Sequence, residues 1–154
     1  MGSPALFLDL DGTVRKTKSG GVCPNHPDDQ VLLPGVLNKV KEYKRKGYKI
    51  VAVTNQGGIG LGYMTEARCQ EILEHLDKNM MGGVFDKMLY AAAPPKANHP
   101  WSKPNPGMIH AAAKDLNINL KKSLMVGDRD NDKDAATNAG VKFKWAHEFF
   151  GGSK

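Results

Sequence analysis

Five short apolar runs, separated by loops and amphipathic segments, constrain the fold of this chain more than any other feature. They cover residues 5–9, 48–54, 87–91, 123–127 and 141–145. The second is rich in β-branched residues, and the runs read as strands of a sheet. Helical patterns fill the gaps. Pro34-Gly35 opens one, with apolar Val36, Leu37, Val40 and Tyr43, and Gly47 closes it. Thr65 caps a second that carries Cys69, Ile72, Leu73 and Leu76 on one side. Asn105-Pro106 starts a third that runs to about Leu116, and residues 131–139 form a fourth. Residues 12–33, with Gly20, Gly21, Pro24 and Pro27, read as a long loop or small hairpin. Strands alternating with helices predict an α/β domain: a parallel sheet with helices on both faces.

At 154 residues, with no internal repeat or linker composition, the chain is expected to be one domain, residues 1–154. No apolar run approaches the roughly 20 residues of a membrane span, and Asp9 and Asp11 interrupt anything resembling a signal peptide. Cys23 and Cys69 are far apart and without metal-like spacing, as expected of reduced thiols in a cytoplasmic monomer. The net charge of +6 favours anionic partners. One basic cluster, Lys39 to Lys49, sits on the first helix and reads as a solvated face; the other is Arg15, Lys16 and Lys18.

Residues that can do chemistry recur just after the strands, where open α/β sheets place their sites. Asp9-Leu10-Asp11-Gly12-Thr13 follows the first. Residues two apart on an extended chain point the same way, so both carboxylates can face one site. A hard divalent cation such as Mg²⁺ would relieve their repulsion. Thr54-Asn55-Gln56-Gly57-Gly58 follows the second strand and can grip an anionic oxygen. Lys103, between Ser102 and Pro104, precedes a Pro-opened helix and can stabilise phosphoryl charge. Gly127-Asp128-Arg129-Asp130-Asn131-Asp132 follows the fourth strand. Asp128 can complete a metal shell, with Asp130 and Asp132 orienting ligands or the lysine. The glycine and closing glutamate of a calcium loop are missing.

In this order and placement the four motifs resemble the haloacid dehalogenase (HAD) superfamily, from Ala5 to Phe150. The resemblance implies a Rossmann-like three-layer sandwich around a five-stranded parallel sheet. It makes Asp9 the nucleophile that forms an aspartyl-phosphate, and Asp11 the general acid and then base. It assigns the phosphoryl oxygens to Thr54 and Asn55 and their charge balance to Lys103. Mg²⁺ would be held by Asp9, the backbone carbonyl of Asp11, and Asp128. One helix and one strand use most of each inter-motif stretch, which leaves no room for a mobile cap, so an open, capless phosphatase is expected.

Two capless groups compete for the substrate. Thr17-x-Ser19-Gly20, Thr54-Asn55-Gln56 and the Glu148-Phe149-Phe150 ending resemble polynucleotide 3′-phosphatase domains. Arg15, Lys16 and Lys18 would suit a DNA or RNA 3′ end crossing the mouth. Lys103-Pro104-Asn105-Pro106-Gly107-Met108 and Gly127-Asp128-Arg129 resemble the histidinol-phosphate and heptose-bisphosphate phosphatases. That group carries a Cys/His zinc loop, whereas residues 91–102 offer only His99, so zinc is not expected. The balance favours a polynucleotide 3′ end, with the sugar or histidinol phosphate as the alternative. No GxxxxGK[ST] is present, so a 5′-kinase would need another chain. Outside the hydrolases stand a receiver-type phosphoacceptor and a nucleic-acid-binding module without turnover. The first would need an acid where Thr54 stands.

Overall fold

The computed structural model describes residues 2–151. Its central sheet contains β1 (Ala5–Leu8), β4 (Lys49–Asn55), β5 (Lys87–Ala91), β6 (Leu124–Gly127) and β7 (Lys142–Trp145). All neighbours are parallel, in the order β5-β4-β1-β6-β7. These are the five strands the apolar runs predict. Successive side chains on a strand face opposite ways, and here both faces are covered. Leu6, Leu8, Ile50 and Ala52 pack in one core with Val36 and Val40 of α1 (Val36–Arg45) and Cys69 and Leu73 of α2 (Glu66–Glu74). Ala5, Phe7, Val51 and Val53 pack in the other, against α3 (Gly107–Leu116) and α4 (Asp130–Ala139).

The chain leaves β1 for β4 and β5 on one side, then crosses back to β6 and β7 on the other. The direction therefore reverses between β1 and β6, a topological switch point of the kind where α/β folds bind ligands. Asp9 follows β1 and Asp128 follows β6, so the topology alone brings their backbones together.

Between Asp11 and Thr54 lie a hairpin of two-residue strands, β2 (Arg15–Lys16) with β3 (Val31–Leu32), then α1 and most of β4. The loop between β2 and β3 is tied down by Asp29, whose carboxylate accepts from the backbone of Lys18 and Ser19 and from the Ser19 hydroxyl. That anchoring carries Val22 and Cys23 to the cavity at the strand ends. Between Asn55 and Lys103 come α2, a π-turn over His75–Met80, β5 and a 3-10 turn at Pro95–Ala97. No cap stands over the sheet among the described residues. A short helix absent from the sequence reading, α5 (Ala146–Phe150), closes the fold. Phe149 seats it, with its ring centroid 5.1 Å from that of Tyr43. No described helix is long and apolar enough to cross a membrane.

Candidate active site

Lys103 organises the carboxyl end of the sheet. It is buried, and its ammonium donates to Asp9 Oδ1 at 2.7 Å, to Asp132 Oδ1 at 2.6 Å and to the Val53 carbonyl at 2.9 Å. Burial alone would lower its pKa, but the two carboxylates outweigh that and raise it. All three of its donors are engaged, so it acts on a ligand chiefly through charge and by fixing Asp9.

Asp132 sits in the first turn of α4, and its second oxygen accepts from the backbone N–H groups of Asp128 and Arg129 at 3.1 Å each. One carboxylate thus fixes both the lysine and the turn that presents Asp128. Asp130, on the same turn, is exposed and takes part in none of these contacts. Gly127 admits this packing, because a Cβ there would overlap the Asp132 side chain.

Asp9 is 6% exposed, and its Oδ2 accepts from the Thr13 hydroxyl at 3.1 Å. That hydroxyl also stands 3.5 Å from Asp128 Oδ1. Oxygens of Asp9, Asp128 and Asp132 lie within 4.8 Å of one another. Asp128 is exposed, yet partial loss of hydration, then its contact with and repulsion from Asp9, push its carboxyl up to about 7. An all-oxygen set crowded with like charge fits a hard divalent cation. Since Asp132 is fully engaged, Asp9 and Asp128 are the side chains able to hold one. Gly12 makes their approach possible: its φ is +86°, and a Cβ would overlap the Asp128 carboxylate.

Asp11 stands apart from this cluster. It lines the same cavity as Asp9, as the spacing predicts, but its Oδ1 accepts from Arg15 Nε at 3.0 Å. Any share it has in holding a cation would pass through its backbone carbonyl. Burial raises the Asp11 pKa, and Arg15 opposes that rise.

Two expected anion ligands are engaged within the protein. The Thr54 hydroxyl, almost fully buried, donates to Gln56 Oε1 at 2.8 Å. The Asn55 amide donates to the Lys103 carbonyl at 3.1 Å and accepts from the Lys103 N–H at 2.9 Å. Asn55 therefore clamps the lysine's backbone to the end of β4. Arg15 corrects the reading of a basic mouth. It is 1% exposed, points inward, and leaves only Lys16 and Lys18 outside, neither of which lines the cavity. The sequence reading also missed Ser102, which lines the cavity with a buried hydroxyl that has no partner among the described residues.

The cavity over Asp9 and Lys103 measures about 440 Å³. Asn98, Ser102, Arg129 and Asn131 form its polar wall, and Val22, Leu61 and Pro95 an apolar one. Its size is that of a small-molecule pocket.

Comparison with known proteins gives a consistent family and two substrate names. Residues 5–150 match the family model described as polynucleotide kinase 3 phosphatase. The chain is 39% identical over 153 residues to the D-glycero-beta-D-manno-heptose-1,7-bisphosphate 7-phosphatase of Haemophilus ducreyi, covering 94% of this chain and 82% of that one. It is 38% identical to the enzyme of that name from Mesorhizobium japonicum, covering 92% and 68%. Among solved structures, a HAD-like phosphatase from Mesorhizobium loti superposes with a TM-score of 0.79 at 37% identity, over 91% of this chain and 70% of that one. The D,D-heptose 1,7-bisphosphate phosphatase of B. bronchiseptica, complexed with magnesium and phosphate, gives 0.80 at 28% identity, over 91% and 78%.

Proposed function

The chain belongs to the polynucleotide kinase 3 phosphatase family, among the capless HAD phosphatases, and on that basis we propose that it is a Mg²⁺-dependent phosphomonoesterase acting on a small phosphorylated sugar of the heptose-bisphosphate type. Lys103, held between Asp9 and Asp132 next to Asp128, carries the chemical part of the reading. Asp9 attacks phosphorus to form an acyl phosphate, while the P–O bond to the leaving group breaks and that oxygen takes a proton from Asp11. Water then attacks phosphorus, returning a proton to Asp11 and releasing phosphate with Asp9 restored. Asp9 and Asp128 would hold magnesium, which when bound neutralises charge on the phosphoryl oxygens.

The substrate choice departs from the polynucleotide 3′ end that the basic residues suggest. What supports it is identity of 35–39% with several heptose-bisphosphate phosphatases over most of both chains. The burial of Arg15 also removes one of the three cations that would have met a polyanion. With Lys103 engaged, Arg129 is, among the described residues, the cavity cation left to meet a second phosphoryl group. The test is phosphate release from D-glycero-D-manno-heptose 1,7-bisphosphate against a 3′-phosphorylated oligonucleotide at low salt. We expect kcat/KM at least about tenfold higher on the sugar, and Asp9→Asn should abolish turnover of both. Preference for the oligonucleotide would overturn the substrate class; turnover by Asp9→Asn would overturn the nucleophile.

A further inference from the structure

Arg15 is one of the largest fully buried side chains in the molecule, and among the described residues its only carboxylate partner is Asp11. A buried guanidinium must be paired and hydrogen-bonded to be tolerated, and three groups from separate segments meet this one. Nε donates to Asp11 Oδ1 at 3.0 Å, one terminal nitrogen to Gln30 Oε1 at 2.8 Å, and the other to Gln56 Oε1 at 3.4 Å. Those acceptors are themselves fixed. The Gln30 amide donates to the carbonyls of Pro27 and Ile72, and Gln56 Oε1 also accepts from Thr54. The backbone of Arg15 holds the same turn from the other side. Its N–H donates to the Leu10 carbonyl at 3.1 Å, and its carbonyl accepts from the Gly12 N–H at 2.9 Å.

We infer that Arg15 is a positioning residue for the leaving-group proton. By holding Asp11 Oδ1, it leaves Oδ2 as the oxygen that carries the proton toward the cavity shared with Asp9. The inference rests on the reading of Asp11 as general acid. A planar guanidinium with donors in a fixed fork suits this role, because three anchored bonds leave little freedom for the carboxylate it grips. Gln30 and Gln56 serve to aim the arginine. The arrangement also links the β2–β3 hairpin, α2 and the loop after β4 to one oxygen of the site.

A residue that aims a general acid shows itself through the leaving group. p-Nitrophenolate departs without a proton, whereas an alkoxide needs one. The kcat/KM of Arg15→Gln and Asp11→Asn is therefore compared with wild type on p-nitrophenyl phosphate and on a simple alkyl phosphate, at saturating Mg²⁺. For Arg15→Gln we expect a loss of about 10²-fold on the alkyl ester and less than about tenfold on the aryl ester. Added to Asp11→Asn, the same change should cost less than about twofold more, because the two residues act as one unit. Arg15→Lys keeps the charge without the fork and should show the same selective loss to a smaller degree; it carries the test if circular dichroism shows that Arg15→Gln does not fold. Equal losses on the two esters, or a full extra loss in the Asp11→Asn background, would make Arg15 merely structural. If Asp11→Asn itself shows no leaving-group dependence, the acid role of Asp11 fails and the inference goes with it. Dependence in Asp11→Asn but in neither Arg15 variant overturns the inference alone.

Discussion

Replacing Lys103 by Met keeps the side chain out to its fourth heavy atom and deletes the ammonium that stands between two buried acids. Its ammonium lies 2.7 Å from Asp9 and 2.6 Å from Asp132, with all three side chains nearly inaccessible to water. Removing one partner of a buried pair costs about 3–5 kcal/mol, chiefly because the remaining charge is left uncompensated. We expect a loss of that size in urea unfolding at pH 8 in EDTA. The sign of the pH dependence follows from the two proteins. In the wild type, Asp9 and Asp132 raise the Lys103 pKa above its ordinary value against the effect of burial. Its contribution is therefore complete below the unfolded lysine's pKa of about 10.4 and is lost only as pH rises through the higher folded value. In Lys103→Met the two acids repel, and the folded state takes up a proton more readily than the unfolded chain. Its stability should fall as pH rises, so the difference from wild type is smaller at pH 5 than at pH 8. Saturating Mg²⁺ should recover part of the loss by supplying a cation beside Asp9. A change below about 1 kcal/mol at both pH values would refute the claim that this lysine holds the acidic cluster together.

Other positions give sharper readouts of single contacts. Gly12→Ala puts a Cβ on a residue at φ +86° and against Asp128; we expect at least about 1–2 kcal/mol of destabilisation and a higher Mg²⁺ requirement, and an unchanged metal titration would disprove the contact. In the wild type, Mg²⁺ at 100 times its Kd should add about 2.7 kcal/mol of stability. Asp128→Asn should abolish that gain, and an equal gain in the variant would move the metal elsewhere. Ser102→Ala removes a buried hydroxyl with no partner among the described residues and should stabilise the ligand-free protein by about 1 kcal/mol; a loss of that size would mean the hydroxyl is satisfied. Burial pushes the Cys69 thiol up to about 11, so it should resist thiol reagents at pH 8 until the protein unfolds. Cys23 lines the cavity and should react first, more slowly with phosphate bound. Reversed order would contradict the burial of the two thiols.

What could be read from the chain, and what could not, divides along the range of the interactions. The inner strands were legible because each is a short run buried on both faces, and burial of that kind leaves its mark in the run itself; the edge strand β7 instead alternates Phe143 and Trp145 with exposed Lys142 and Lys144. The acids after β1 and β6 were legible because parallel topology puts strand ends together whatever the intervening sequence does. Arg15 was not: beside Lys16 and Lys18 it looks like part of a solvated basic cluster, and what buries it comes from Gln30 and Gln56, 15 and 41 residues away. Neither glutamine carries a local sign of that duty. Asn55 shows the same limit, since an amide after a strand looks like an anion ligand until its partner 48 residues on is known to be the Lys103 backbone. The short helix at Ala146–Phe150 has too few residues for a period and exists because Phe149 finds Tyr43. Local sequence therefore announces the groups proposed to do chemistry, and remote sequence supplies the groups that aim them. Substrate preference within this family should accordingly be sought in the polar wall at Asn98, Ser102, Arg129 and Asn131 rather than in the acids at the base of the cavity. Substitutions there should change KM between phosphate esters while leaving the proposed aspartyl-phosphate step in place.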